Sequence, residues 1–256
     1  MINRFIFTSS LMRFPRYFIY CGLVLLCLAP ACWAAQTIYQ SPVPPGGNPA
    51  AVGAPRDDWW ATVQSKFDRY GGKHFDIVFD GDSITNRWET TGHDVWARHF
   101  AGRAADFGIE GDRVENVIWR LSKGELDGVD PKVIVLMIGT NNISRGDSAE
   151  NIVEGIRFLI AQYLQAAPNA HLILMGVFPR AQTPADPKRQ EVNAINEKLS
   201  TFGSDRVTYV DIGPKLMQAD GTITTEEARD FLHPEASGYQ FWFEAIDPLI
   251  SQYVTN

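Results

Sequence analysis

Apolar residues follow two different patterns along this chain, and the two patterns alternate. Continuous apolar runs rich in β-branched residues are expected of strands that are buried on both faces of a sheet. Such runs occur at residues 75–79, 133–138, 171–175 and 207–210, with a weaker candidate at 104–107. Between them, apolar side chains recur every three or four positions, which is the period of an amphipathic helix. This second pattern predicts helices over residues 152–163 and 192–202, and a closing helix within 235–253.

The alternation of strands and helices predicts an α/β fold in which a parallel sheet lies between layers of helices. In such sheets, ligands bind beyond the carboxyl ends of the strands. Three short segments rich in glycine and polar residues directly follow predicted strands, at residues 81–83, 108–112 and 139–142. We therefore expect these three segments to converge on one rim of the sheet and to form the functional site.

The region before the first strand has a different composition. Residues 40–55 contain five prolines and three glycines, which is typical of an extended leader without helix or strand. Folded structure is predicted to begin near Asp57. The chain is thus divided into an export segment at 1–34, a Pro/Gly-rich leader at 35–56 and one domain at 57–256.

The first 34 residues have the features of a secretory signal peptide. Arg4, Arg13 and Arg16 make a basic start, an apolar run covers residues 17–29, and Cys32-Trp33-Ala34 is a candidate cleavage site. The apolar run is shorter than the roughly 20 residues that a membrane span needs. The protein is therefore expected to be periplasmic or extracellular, without stable membrane insertion after cleavage. An uncleaved anchor and a lipoprotein modified at Cys32 are the alternatives.

Charge and cysteine content narrow the possible functions. Loss of the export segment would remove three arginines and no acidic residue, and would change the formal net charge from −7 to −10. Such an acidic chain argues against a nucleic-acid partner. Cys21, Cys27 and Cys32 all lie in the export segment, so the mature protein is expected to have neither a disulfide nor a thiol nucleophile. No metal and no cofactor are expected, because the sequence has no histidine pair, cysteine cluster or phosphate loop of the usual spacing.

Two segments far apart in the sequence carry candidate proton-transfer chemistry. Ser83 follows Gly81 directly after a predicted strand, where a tight turn can open a helix and expose the serine. A helix N-cap is an equally good interpretation of this serine. Asp230 precedes His233 by three residues, so its carboxylate can orient the imidazole and stabilise the imidazolium. An ordinary exposed pair is the alternative here.

Two further segments carry candidate hydrogen-bond donors. Asn141 follows the most apolar strand, and its side-chain amide can donate to a developing oxyanion. Gly108 and Gly111 flank a break before a helical stretch at 114–121, and glycine lets a backbone N–H approach an oxyanion closely. Ordinary turn chemistry explains either segment alone. All four segments together supply a nucleophile, two kinds of donor and an acid–base pair, which is the set that acyl transfer through a serine needs.

The same four segments resemble the ordered sequence blocks of the SGNH/GDSL hydrolases, and in particular the catalytic subunits of intracellular platelet-activating factor acetylhydrolase and their bacterial relatives. The blocks are residues 78–83, 107–113, 139–142 and 230–233. The resemblance implies a three-layer α/β/α sandwich, flavodoxin-like, around a parallel sheet of about five strands. It also implies that Ser83 is the nucleophile, His233 the base and Asp230 its orienting partner. The N–H groups of Ser83 and Gly111 and the side chain of Asn141 would form the oxyanion hole.

Together these features predict an exported serine esterase that hydrolyses short-chain acyl esters, chiefly acetyl esters of carbohydrates or similar polyols, through an acyl-enzyme. A lysophospholipase or thioesterase, and a non-catalytic carbohydrate-binding protein on a hydrolase fold, are the alternatives. Glu110 stands where relatives usually have glycine. We hypothesise that its carboxylate disfavours anionic substrates; the alternative is a solvated side chain without measurable effect.

Overall fold

A computed structural model describes residues 46–254 and contains one sheet of five parallel strands. The strands are β1 (Ile77–Gly81), β2 (Ala104–Asp106), β3 (Val133–Met137), β4 (His171–Met175) and β5 (Val207–Val210). Their order across the sheet is β2-β1-β3-β4-β5. The prediction of an α/β fold with a parallel sheet of about five strands is therefore confirmed.

The helices of the described residues alternate with these strands. They are α1 (Trp60–Tyr70), α2 (Ser83–Asn86), α3 (His93–His99), α4 (Val114–Ser122), α5 (Thr140–Arg145), α6 (Ala149–Ala166), α7 (Pro187–Leu199) and α8 (Ala236–Ile250). Short 3₁₀ turns occur at Pro49–Ala51, Arg87–Glu89 and Gly213–Leu216. The helix predicted at 152–163 lies within α6, and the closing helix is α8. The helix predicted at 192–202 corresponds to α7, which ends three residues earlier, at Leu199.

Successive residues of each central strand point into two different hydrophobic cores, as the pleat of a strand requires. In β1, Val78 packs in a core with α4, α6 and α7, whereas Ile77 and Phe79 pack in a second core with α3 and α8. In β3, Ile134 belongs to the first core and Val135 to the second. Both faces of the sheet are thus covered by helices. The molecule is the three-layer sandwich that was expected.

The segment before α1 packs against the domain, which differs from the expectation that folded structure begins near Asp57. We call residues 48–56 the N-terminal strap. The Asn48 side chain caps the first 3₁₀ turn and also donates to the carbonyl of Asn151 in α6 at 2.8 Å. Ala50 and Ala51 are fully buried. The expectation is wrong because small residues can enter the groove between α4 and α6, which a composition rich in proline and glycine does not reveal.

The predicted signal peptide at residues 1–34, with its three cysteines, lies outside the described residues, as does the first half of the predicted leader, residues 35–45. Across residues 46–254, no helix combines the length and the apolar character that crossing a membrane requires.

Candidate active site

β1 ends in a tight turn that brings Ser83 to the rim of the sheet. A Cβ at Gly81 would lie 2.0 Å from the carbonyl oxygen of Met137 in β3, so only glycine fits there. Asp82 is the N-cap of α2, because its Oδ1 accepts a hydrogen bond from the N–H of Ile84 at 3.0 Å. The interpretation of Ser83 as the N-cap is therefore wrong. Its hydroxyl takes a different partner.

That partner is His233, which lies 150 residues further along the chain. Ser83 Oγ is 2.8 Å from His233 Nε2, and His233 Nδ1 is 2.6 Å from Asp230 Oδ2. Asp230 Oδ1 accepts hydrogen bonds from the backbone N–H groups of Leu232 and His233, at 3.1 and 2.9 Å. Phe231 has a positive φ of 56°, which bends the segment so that the carboxylate and the imidazole meet. The structure thus brings together the three side chains that the sequence proposed.

The carboxylate of Asp230 fixes the orientation and the tautomer of the imidazole that faces Ser83. Burial alone would raise the pKa of Asp230, but the hydrogen bonds from the backbone and ring of His233 outweigh it, and the pKa is lower than usual. An ionised Asp230 accepts the Nδ1–H of the imidazole. This selects the tautomer in which Nε2 has a lone pair directed at the hydroxyl of Ser83. The histidine side chain is 14% exposed and Asp230 is 52% exposed, so this row of side chains runs from the interior to the surface.

The loop from Gly108 to Asp112 is held against the Ser83 turn. The N–H of Ile109 donates to the carbonyl of Gly81 at 3.2 Å. A Cβ at Gly108 would lie 2.5 Å from the backbone nitrogen of Asn86, so this glycine permits the close approach of loop and α2. Gly111 has a positive φ of 77°. The sequence-predicted convergence of these two segments on one rim is what the structure shows.

Asn141, on the third segment, reaches the same loop. Its Nδ2 donates to the carbonyl of Asp112 at 2.9 Å. An amide nitrogen carries two hydrogens, so the second N–H of Asn141 can serve another acceptor. Arg180 fixes the start of this segment, since its Nη1 donates to the carbonyl and the hydroxyl of Thr140 at 2.7 and 3.0 Å.

The neighbouring Asn142 has a different role from Asn141. It is fully buried, and its Oδ1 accepts the N–H of Val114 at 3.0 Å. Its Nδ2 donates to Glu115 at 3.0 Å and to Asp147 at 2.8 Å. Asn142 therefore joins the start of α4 to α5, while the amide of Asn141 contacts the loop from Gly108 to Asp112.

Sequence reasoning did not find the buried ionic cluster under the site. Arg120 of α4 is fully buried, with Nη2 2.7 Å from Asp80 Oδ1 and Nε 3.0 Å from Asp112 Oδ2. Glu125 also pairs with Arg120, and Tyr163 donates to Asp80. Burial alone would lower the pKa of Arg120, but Asp80 and Asp112 raise it above its usual range. No sequence signal marked Arg120, because Asn116 stands one turn before it in α4 and the two resemble an ordinary polar face.

Burial also shifts the carboxyl groups near the Ser83 turn. It raises the pKa of Asp82 to about 7, and it raises that of Asp112 to about 6 against the opposing effect of Arg120. Oδ2 of Asp82 has no hydrogen-bond partner among the described residues.

The carboxylate of Glu110 lies at the edge of the site. Its Oε1 is 3.7 Å from Arg87 Nε, and its side chain is 63% exposed. Pairing and exposure both weaken its field at the rim. Within residues 46–254, no group of three or more histidine, cysteine, aspartate or glutamate side chains is arranged to hold a metal ion.

One contact fastens α8 to the Ser83 turn. The buried hydroxyl of Tyr239 donates to the carbonyl of Ile84 at 2.8 Å. Because His233 lies just before α8, this bond ties the element that follows the histidine to the element that begins with the serine.

Comparisons with known sequences and structures identify the family to which this chain belongs. Residues 79–241 match the model of the GDSL-like lipase/acylhydrolase family. The alpha1 subunit of human platelet-activating factor acetylhydrolase IB is 32% identical over 201 residues, covering 75% of this chain and 85% of the relative. The beta subunit homologue from Drosophila melanogaster is 34% identical over 219 residues, covering 82% and 95%.

Solved structures share the fold at lower sequence identity. A GDSL-like lipase from Bacteroides thetaiotaomicron has a TM-score of 0.64 at 17% identity, covering 76% of this chain and all of that one. A catalytic mutant of an acetylxylan esterase from Geobacillus stearothermophilus has a TM-score of 0.55 at 18% identity, covering 70% and 94%. The chain therefore belongs to the GDSL-like lipase/acylhydrolase family, and it is a carboxylic ester hydrolase.

Proposed function

We propose that this protein is an exported serine esterase that removes short acyl groups, chiefly acetyl, from carbohydrates or similar polyols. The observation that carries the proposal is the row of two short hydrogen bonds, 2.8 Å from Ser83 to His233 and 2.6 Å from His233 to Asp230. A nucleophile, a base and an orienting carboxylate at these distances are the requirements for covalent acyl transfer.

In the first half of the reaction, His233 Nε2 takes the proton of Ser83 as Oγ attacks the ester carbonyl carbon. The carbon becomes tetrahedral, and the carbonyl electron pair moves onto its oxygen. Asp230 stays ionised and stabilises the imidazolium that forms. His233 then gives the proton to the leaving alcohol, the C–O ester bond breaks, and the acyl group remains on Ser83.

The negative charge on the tetrahedral intermediate needs donors that are already in place. We assign this role to the backbone N–H groups of Ser83 and Gly111 and to the second amide N–H of Asn141. The bond from Asn141 to Asp112 supports the assignment, because it fixes the amide plane before substrate arrives. In the second half of the reaction, His233 Nε2 takes a proton from a water as its oxygen attacks the acyl carbon, and the same donors stabilise the second intermediate. His233 then returns the proton to Ser83 Oγ as the acyl C–O bond breaks and the carboxylic acid leaves.

The preference for acetyl groups is supported by the relatives. Curated relatives at 31–34% identity are named platelet-activating factor acetylhydrolases, and one structural neighbour is an acetylxylan esterase. Both names refer to acetyl esters, although the alcohols that they release differ. A sugar alcohol agrees with the proposed export of this chain.

A hydrolysis screen tests the substrate. Acetylated xylo-oligosaccharides and p-nitrophenyl esters of rising chain length are compared by kcat/KM. We expect the acetyl esters to be the best substrates, with a steady fall above four carbons. A maximum at long chains would favour a lysophospholipase or thioesterase instead. Retained sugar binding without any turnover would favour a binding protein.

Export has its own test. Intact-mass analysis of the protein recovered from outside the cytoplasm is expected to give a chain that begins near Ala35. A mature chain cut there retains the N-terminal strap. Retention of residues 1–34, or a lipid adduct at Cys32, would contradict cleavage at this position.

A further inference from the structure

The N-terminal strap contacts the loop from Gly108 to Asp112 through one side chain, that of Arg56. Arg56 Nη1 lies 2.8 Å from the carbonyl oxygen of Glu110 and 3.2 Å from Oδ1 of Asp112. A Cβ added at Gly111 would lie 2.9 Å from the same nitrogen. The guanidinium therefore contacts three consecutive residues, of which the middle one carries the N–H proposed to bind the oxyanion.

The bond to Glu110 bears directly on that N–H. The carbonyl of Glu110 and the N–H of Gly111 belong to one peptide unit, which is planar and trans. The two groups therefore point in opposite directions. When Arg56 holds the carbonyl on the side of the strap, the N–H is directed away from the strap. A hydrogen bond from a cation also polarises the peptide and strengthens its N–H as a donor.

Asp112 gives Arg56 a second route to the site. The carboxylate is shared between two arginines, with Oδ1 facing Arg56 and Oδ2 accepting from Arg120 at 3.0 Å. The backbone carbonyl of the same residue accepts the amide of Asn141. A shift of Asp112 would therefore move the partner that fixes the plane of the Asn141 amide.

We propose that Arg56 is a positioning residue for catalysis, which aims the oxyanion donors by holding the Glu110–Gly111 peptide and the carboxylate of Asp112. The inference rests on the proposed function, in which Gly111 and Asn141 bind the oxyanion. Arg56 lies before residue 79, where the match to the family model begins. The strap thus supplies part of the site from outside the region that the family model covers.

The test compares two alanine variants of the strap with p-nitrophenyl acetate as substrate. Arg56→Ala is expected to lower kcat by about 10- to 100-fold, because small misplacement of a preorganised donor has effects of this size. KM should change less than twofold. Asn48→Ala removes the bond to Asn151 at the other end of the strap, and it is expected to lower the melting temperature while kcat stays within twofold of wild type.

Chemical rescue separates positioning from stability. Methylguanidinium at millimolar concentration should restore part of kcat in Arg56→Ala and leave wild type and Asn48→Ala unchanged. Arg56→Lys keeps the charge but not the paired N–H groups, and should retain an intermediate kcat; it serves the same comparison if the alanine variant does not fold. Wild-type kcat in Arg56→Ala, an equal loss in both alanine variants, or no rescue would overturn the inference. Failure of the proposed function would show separately, as a Ser83→Ala variant that remains active.

Discussion

Two adjacent asparagines test whether catalysis and stability depend on different residues of this site. Asn141 and Asn142 follow β3 side by side, but Asn142 is fully buried, whereas Asn141 bonds to the carbonyl of Asp112 in the loop from Gly108 to Asp112. We predict that Asn141→Ala lowers kcat strongly and stability slightly. Asn142→Ala should lower stability strongly, because Asn142 joins α4 to α5.

The magnitudes follow from the hydrogen bonds of each side chain. Removal of one oxyanion donor costs roughly 10²- to 10³-fold in kcat, or about 3–4 kcal/mol of transition-state stabilisation. Asn141 makes a single bond to Asp112 in the resting protein, and a bond of this kind contributes about 1 kcal/mol to the free energy of unfolding. Asn142 makes three bonds, two of them to carboxylates. Its loss should cost about 3 kcal/mol of unfolding free energy.

The assay measures kcat and KM on p-nitrophenyl acetate and the urea unfolding curve of both variants. Asn141→Ala is expected to keep KM within about threefold of wild type, because the oxyanion forms only after binding. The reasoning is refuted if Asn141→Ala loses less than threefold in kcat, or if its entire effect falls on KM. It is also refuted if the two variants are equally destabilised.

Four further outcomes are expected. Ser83→Ala should lose several orders of magnitude in kcat while its circular dichroism and melting temperature stay at wild-type values. Arg120→Met should cost about 3–5 kcal/mol of unfolding free energy at pH 8, because it leaves buried carboxylates unpaired; the deficit should shrink at pH 5, since burial raises the pKa of Asp112 to about 6 and this group then takes up a proton. Burial raises the pKa of Asp106 to about 7, so between about pH 4 and 7 the folded state holds a proton that the unfolded state lacks. The free energy of unfolding should therefore fall as the pH rises through this window. Asp106→Asn should reduce that fall by on the order of 2 kcal/mol, measured by urea unfolding. Glu110→Gln should change kcat/KM of anionic and neutral esters by the same factor, within twofold, because the Glu110 carboxylate is exposed and paired with Arg87. A larger, salt-sensitive gain for anionic esters would support the hypothesis that Glu110 disfavours anionic substrates.

The strands were predictable because most of them are buried on both faces. β4 and β5 begin and end at the predicted residues, and β3 is one residue shorter than its apolar run. β1 is displaced by two residues: it starts at Ile77 and continues through Asp80 and Gly81, whose polar and glycine character looked like a turn. Asp80 is tolerated inside a strand because Arg120 and Tyr163 pair with its carboxylate.

The sequence predicted the residues of the candidate site, but not the residues that hold them in place. Glycines and polar residues after strands mark the rim, and a histidine three residues after an aspartate suggests a pair. By contrast, Arg56 and Arg120 look like ordinary charged residues in the sequence. Their partners lie on other elements, and only the packing of α4 and the strap against the sheet determines which carboxylates they meet.

The contact between Tyr239 and Ile84 has a consequence for how activity arises during folding. These residues are 155 positions apart and join the last helix to the first turn of the site. The serine turn is therefore synthesised long before the histidine and the helix that secures it. A nascent chain would have no esterase activity until α8 packs against the domain, so ester turnover measures the assembly of the whole domain. Partial unfolding that releases α8 should abolish activity before the sheet itself melts.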